Sequence, residues 1–155
     1  MFDQLMNFLK AHPERNPPDD MRVAVAVLLL EAAHRDDHFG PEERATIARL
    51  LKEKFALSSE ECQQLIASCE ATNVHLVQLY PYTHAILTHM DSAERIQVIE
   101  MLWEVVYADG VLDPEEDALI RRLGSLIDVT DRDRVLARQR VLSRMTARNT
   151  ENGSE

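Results

Sequence analysis

Residues 28–50 of this chain align without a gap on residues 101–123, and ten of the 23 aligned pairs are identical. The identities are Leu29/Leu102, Glu31/Glu104, Asp36/Asp109, Pro41/Pro114, Glu42/Glu115, Glu43/Glu116, Ala45/Ala118, Ile47/Ile120, Arg49/Arg122 and Leu50/Leu123. Each copy reads as a very apolar helix, an acidic turn, and a second helix opened by Pro-Glu-Glu. A solenoid needs about three or more repeats to bury its faces. Two copies set far apart therefore predict a bundle with an internal pseudo-twofold helix-turn-helix repeat.

Composition agrees with long helices. The chain of 155 residues has only 4 Gly and 6 Pro, below the roughly 12 % of an average protein. No alternating apolar–polar run is long enough to build a sheet. Proline and cap signals divide the chain into about eight helical stretches. Phe2, Leu5, Met6 and Leu9 give one apolar face to a helix over 2–11, and a Pro-rich linker follows from Pro13 to Asp20. Asp19 or Asp20 is expected to cap a helix running to about His34. The next begins at Pro41 and ends near Phe55. Ser58 or Ser59 caps another, with Glu61 placed for a capping box. The stretch Asn73–Met90 is helical in period but interrupted at Pro81, so a kink or two short helices are expected. Further helices are expected from Asp91 to about Ala108, from Pro114, and from Thr130 or Asp131. The expectation is one all-α domain of seven to eight helices over 19–148, with an N-terminal helix and linker over 1–18 and a disordered tail over 149–155.

Charge excludes some function classes. With 17 Lys plus Arg against 27 Asp plus Glu, the net charge is −10, which argues against general nucleic-acid binding. The longest apolar run, Val23–Leu30, falls far short of the ~20 residues that span a bilayer, so no transmembrane segment is expected. The N-terminus carries no charged region or cleavage site of a signal peptide. Cys62 and Cys69 lie about 10 Å apart along one predicted helix, too far for a mutual disulfide. They read as small core residues and suggest a cytoplasmic protein.

The acidic turns carry the candidate chemistry. In the second copy, Asp109, Asp113 and Glu116 are hard oxygen donors of the kind Ca²⁺ or Mg²⁺ requires. With Gly110 at the sixth position of an EF-hand loop, Asp109 is fifth, Asp113 ninth and Glu116 twelfth. The first and third positions fall on Val105 and Tyr107, so an EF-hand proper is rejected. The first copy has Asp37 in place of the turn glycine, but His34 and His38 flank Asp36 and Asp37 and bring Zn²⁺ into consideration. Helix capping is the competing explanation. Asp113-Pro-Glu-Glu116 is a good helix start, Gly40-Pro-Glu-Glu43 a poorer one, and Gly110 fits a left-handed helix end. Capping leaves Asp36 and Asp109 unexplained, since the macrodipole disfavours acids at a helix C-terminus.

Glu31 and Glu104 interrupt helices that are otherwise apolar nearly all round, and a buried carboxylate needs a partner. The repeated Arg49 and Arg122 are the simplest partners; the alternative makes both glutamates inner metal ligands. Glu31-Ala-Ala-His34 has the Glu-x-x-His spacing of bundle di-metal sites, but Tyr107 breaks it in the second copy, so a di-metal hydrolase is the weaker reading. His75, His84 and His89 read as a mixed surface, with Tyr80-Pro-Tyr-Thr-His84 as a candidate groove. Between Arg132 and Arg148 stand six Arg and one acid. Val135, Leu136 and Leu142 are expected to face the core. Arg138, Arg140 and Arg144 either pair with the acidic body or present a docking surface.

The acidic turn followed by Pro-Glu-Glu, carried twice in a helical chain and as Asp109-Gly110 in the second copy, resembles the tellurite-resistance TerB family. The stretch Met101-Leu-Trp-Glu-Val-Val-Tyr-Ala-Asp-Gly-Val-Leu-Asp-Pro-Glu-Glu116 with Leu119-Ile-Arg-Arg-Leu123 carries the likeness best, and Leu79–Met90 adds to it. The resemblance spans roughly 20–145. It implies a bacterial, cytoplasmic, all-helical stress-response protein whose acidic residues hold a divalent metal. Asp109 and Glu116 match the family motif; Asp36 and Glu43 match it without the glycine. The expected function is a non-enzymatic, divalent-cation-binding (Ca, Mg or Zn) interaction module with a protein partner or as a homodimer. The rival is a metal-free scaffold or dimerisation module.

Overall fold

A helix with no polar face has nothing to offer solvent, and this dictates the centre of the molecule. The computed structural model describes residues 17–33, 40–72, 79–108, 110 and 114–152. Among them are seven helices and no strand: α1 (Pro17–Ala33), α2 (Pro41–Phe55), α3 (Ser59–Thr72), α4 (Tyr80–His89), α5 (Ser92–Val106), α6 (Pro114–Leu126) and α7 (Asp131–Asn152). In α1, Val23 through Leu30 are all buried. That helix packs against α2, α3, α4, α5 and α6. The second apolar helix, α5, buries Val98, Ile99 and every residue from Met101 to Tyr107, with Trp103 fully enclosed.

The two halves pack alike. α1 touches α2 and α3, and α2 touches α3; correspondingly α5 touches α6 and α7, and α6 touches α7. The halves join through α1 against α5, with α2 on α5 and α1 on α6. α4 is additional and packs on α1 and α6.

Local chemistry sets the helix ends. The Ser58 hydroxyl accepts the Glu61 N–H at 3.1 Å and the Glu61 carboxylate accepts the Ser58 N–H at 3.2 Å. Asp91 and Glu94 form the same reciprocal box at the start of α5, at 2.9 and 3.4 Å. Thr130, rather than Asp131, caps α7 through the Asp133 N–H at 3.1 Å.

Two boundaries differ from expectation. α1 begins at Pro17 instead of Asp19 or Asp20, because proline suits a first helical turn. Pro81 lies in the first turn of α4, as expected if a separate short helix begins at that point. α7 continues through Asn152, past Asn149, with the Thr150 hydroxyl bonded back to the Thr146 carbonyl at 3.0 Å. The expected helix over 2–11 lies outside the described residues, as does 73–78.

The apolar face of α7 is also rotated from expectation. Val135, Leu136 and Leu142 are exposed at 41, 38 and 37 %, while Arg134, Ala137 and Val141 are buried. Two cross-helix contacts set this phase. The Arg138 guanidinium lies over the Trp103 ring at 5.5 Å, and its Nε donates to the Tyr107 hydroxyl at 2.7 Å. The small Ala137 then allows close approach of α5 and α7.

Candidate functional site

The Pro-Glu-Glu motifs place one carboxylate of each copy inside the protein. Glu43, in the first turn of α2, is 7 % exposed, and Glu116, in the first turn of α6, is 5 % exposed. Glu43 Oε2 accepts the Gly40 N–H at 3.0 Å. Glycine has no side chain to reciprocate, so this is the backward half of a capping box. A Cβ at residue 40 would stand 2.9 Å from that same oxygen, so glycine leaves the carboxylate its room. In the second copy Gly110 takes the left-handed conformation expected of it, with φ +80°, and its N–H bonds to the Tyr107 carbonyl at 2.9 Å. Asp36, Asp37, His34, His38, Asp109 and Asp113 lie outside the described residues. Among the described residues, no three Asp, Glu, His or Cys side chains gather as a metal cluster. α2 and α6 share no substantial packed interface.

Glu104 has a different environment. It is 5 % exposed, and Arg49 Nη2 on α2 donates to its Oε2 at 2.7 Å. Arg144 Nη2 on α7 donates to Oε1 at 3.3 Å, and Arg148 Nη2 stands 3.6 Å from the same oxygen. The pairing crosses the repeat, since Arg49 belongs to the first copy and Glu104 to the second. Burial alone pushes the Glu104 pKa up. Hydrogen bonding and charge from Arg49, then Arg144 and Arg148, outweigh it and hold the pKa below the ordinary carboxylate value. Its repeat equivalent, Glu31, is partly buried on α1, and Arg122 is exposed on α6 without an ion pair among the described residues.

Of the expected docking arginines, Arg138 is held inward against Trp103 and Tyr107, as described above. Arg140 Nε lies 3.6 Å from Glu100 Oε1, and Arg144 Nη1 donates to that oxygen at 2.7 Å. Glu100 is the participant the sequence did not single out. The available signal was the four-residue step from Glu100 to Glu104, matched by Arg140, Arg144 and Arg148 on the facing helix. Arg134 was likewise not expected to be buried. It sits at 6 % exposure beside Asp117 at 3.7 Å and Asp131 at 3.5 Å.

Cys62 and Cys69 are both buried free thiols. Burial raises both pKa values, that of Cys69 to about 12, so both stay protonated and poor metal ligands. On α4, Tyr80 and His84 are exposed and stacked at 5.6 Å, while Tyr82 and Thr83 are buried. They form a mixed surface.

Residues 22–139 match a protein-family model described as tellurite resistance protein TerB. Comparisons with curated proteins and with solved structures give no match.

Proposed function

This chain belongs to the tellurite-resistance TerB family, and from that premise we propose that it is a non-catalytic interaction module whose two acidic turns bind divalent cations. The observation carrying this reading is the burial of Glu43 and Glu116 at equivalent positions of the two repeats. A carboxylate taken out of water requires partners, and a cation would add to those that the protein itself supplies at both positions. The donors are all carboxylate oxygens, which suit Ca²⁺ or Mg²⁺; the histidines of the first turn would extend the range to Zn²⁺. Asp109 with Glu116 would hold one ion and Asp36 with Glu43 the other. Glu31 is a further candidate beside Asp36 and Glu43. Glu104 belongs to the arginine cluster, whose guanidiniums already occupy both its oxygens. A bound ion would fix the turn between two helices and so change the surface offered to a partner.

Two of the buried ionisable groups are held in ways that do not suit acid–base work. A general acid or base works best with a pKa near the operating pH. Glu104 is held below its ordinary value and Cys69 far above neutrality. Binding to partners would use the exposed face of α7, where Leu136 and Arg140 lie together.

One observation favours the rival metal-free scaffold: Glu43 already accepts the Gly40 N–H. Calorimetric titration of chelator-stripped protein with Ca²⁺, Mg²⁺, Zn²⁺ and Mn²⁺ separates the two readings. Saturable heat is expected with at least one ion, and Asp109→Asn with Glu116→Gln should remove one class of site. Absence of heat with all four ions would leave the capping scaffold as the account.

A further inference from the structure

In a molecule of net charge −10, one cleft reverses the balance, with Arg49, Lys54, Arg144 and Arg148 against Glu53, Glu100 and Glu104. It has a volume of about 460 Å³, lies where α2, α5 and α7 meet, and has Leu50 and Met101 among its walls. Its charges are layered. The side chains of Glu100 and Glu104 are only 16 and 6 % exposed, whereas those of Arg144 and Arg148 are 43 and 49 % exposed, with Arg140 beside the cleft at 48 %. Two carboxylates form the base; the rim that meets solvent is made by the Arg144 and Arg148 guanidiniums and, on the α2 side, by Glu53 beside Arg49.

The donors outnumber what the base consumes. Both oxygens of Glu104 accept from Arg49 and Arg144. Arg140 and Arg148 approach Glu100 and Glu104 only at 3.6 Å, beyond hydrogen-bonding distance. Among the described residues neither makes a side-chain hydrogen bond, although each guanidinium carries five N–H donors. Lys54, a further cation of the cleft, is held by Gln97 at 3.1 Å. Pre-organised guanidiniums with unused donors match the geometry of multivalent oxyanions. The cleft size is that of a small-molecule site, while the acidic remainder of the surface disfavours an extended polyanion.

We propose that this cleft binds the phosphate group of a small organic molecule, with Arg144 and Arg148 as its principal ligands and Leu50 and Met101 against its apolar part. The site is separate from the acidic turns and needs no metal ion. Arg148 is the informative position, because its removal breaks no hydrogen bond of the fold. Inorganic pyrophosphate is titrated calorimetrically into full-length protein that has been stripped with chelator and dialysed. The expected result is saturable binding that weakens about tenfold in Arg148→Gln, the worth of one charge-assisted hydrogen bond. Binding should be unchanged in Arg121→Gln on α6. Thermal melting of each variant checks that it is folded, and Lys54→Gln serves as a second cleft variant if Arg148→Gln melts early. Vesicles of phosphatidylcholine with phosphatidylglycerol distinguish the source of the phosphate. Competition with pyrophosphate assigns it to a lipid headgroup, and lack of competition assigns it to a soluble molecule. No binding, or binding indifferent to both cleft substitutions, would overturn the proposal.

Discussion

Glu104 sits almost wholly inside the protein, between Trp103 and Val105 on the most buried stretch of α5. Arg49, Arg144 and Arg148 make that placement stable, each bringing a positive charge from another helix. Removing the charge while keeping the shape isolates their contribution. Glu104→Gln should lower unfolding stability in urea by about 2 kcal/mol, the scale of charged hydrogen bonds. Half-exposed arginines keep the cost below that of a fully buried pair. The pH dependence follows from the direction of the shift. The folded pKa is depressed, so the stabilisation is fully present above the unfolded value, about 4.3, and is lost as pH falls through the folded value. Acid melting of the native protein should therefore be steeper below pH ~4.3 than that of Glu104→Gln. Part of this was legible: a glutamate in Met-Leu-Trp-Glu-Val-Val requires a partner, and Arg49 was one of two arginines the repeat offered. Glu100 and the arginine rim were not, because they depend on which face α7 turns towards α5.

Helix starts were legible where a side chain is short enough to reach only its own backbone. Ser58 and Asp91 are set by residues three positions away, so local sequence suffices. The phase of α7 is different in kind. Apolar periodicity favours burying Val135, Leu136 and Leu142, but Arg138 on Trp103 and the Glu100–Glu104 cluster turn them outward. Tertiary pairing overrides the pattern. Helix ends also offer a direct test of the backbone account. Ala56 closes α2 in the left-handed region at φ 53°, where a side chain is disfavoured and glycine is not. Ala56→Gly should stabilise the protein by about 0.5–1 kcal/mol, whereas Asp91→Ala should cost about 1 kcal/mol through loss of its cap. Thermal melting of the two variants should move in opposite directions.

At the scale of the whole molecule, the repeat gives two apolar helices that pack on each other and two acidic turns whose following helices do not. The all-helical architecture was readable from scarce turn residues and helical periodicity. The extra helix α4 was foreshadowed by helical periodicity and by Pro81, but it has no repeat partner to define it. The acidic turns were legible as motifs, yet capping and cation binding require the same residues at a helix start, so sequence leaves both open. Linkage separates them. An ion that binds only the folded state at one hundred times its Kd adds about 2.7 kcal/mol. For a chain of this length that corresponds to a rise of roughly 5–10 °C in Tm. The decisive measurement is the Tm of chelator-stripped protein as Ca²⁺, Mg²⁺, Zn²⁺ or Mn²⁺ is added. Cation-binding turns predict a saturable rise of that size with at least one ion, reversed by chelator and reduced in Asp109→Asn with Glu116→Gln. A Tm unchanged by all four ions would contradict the account.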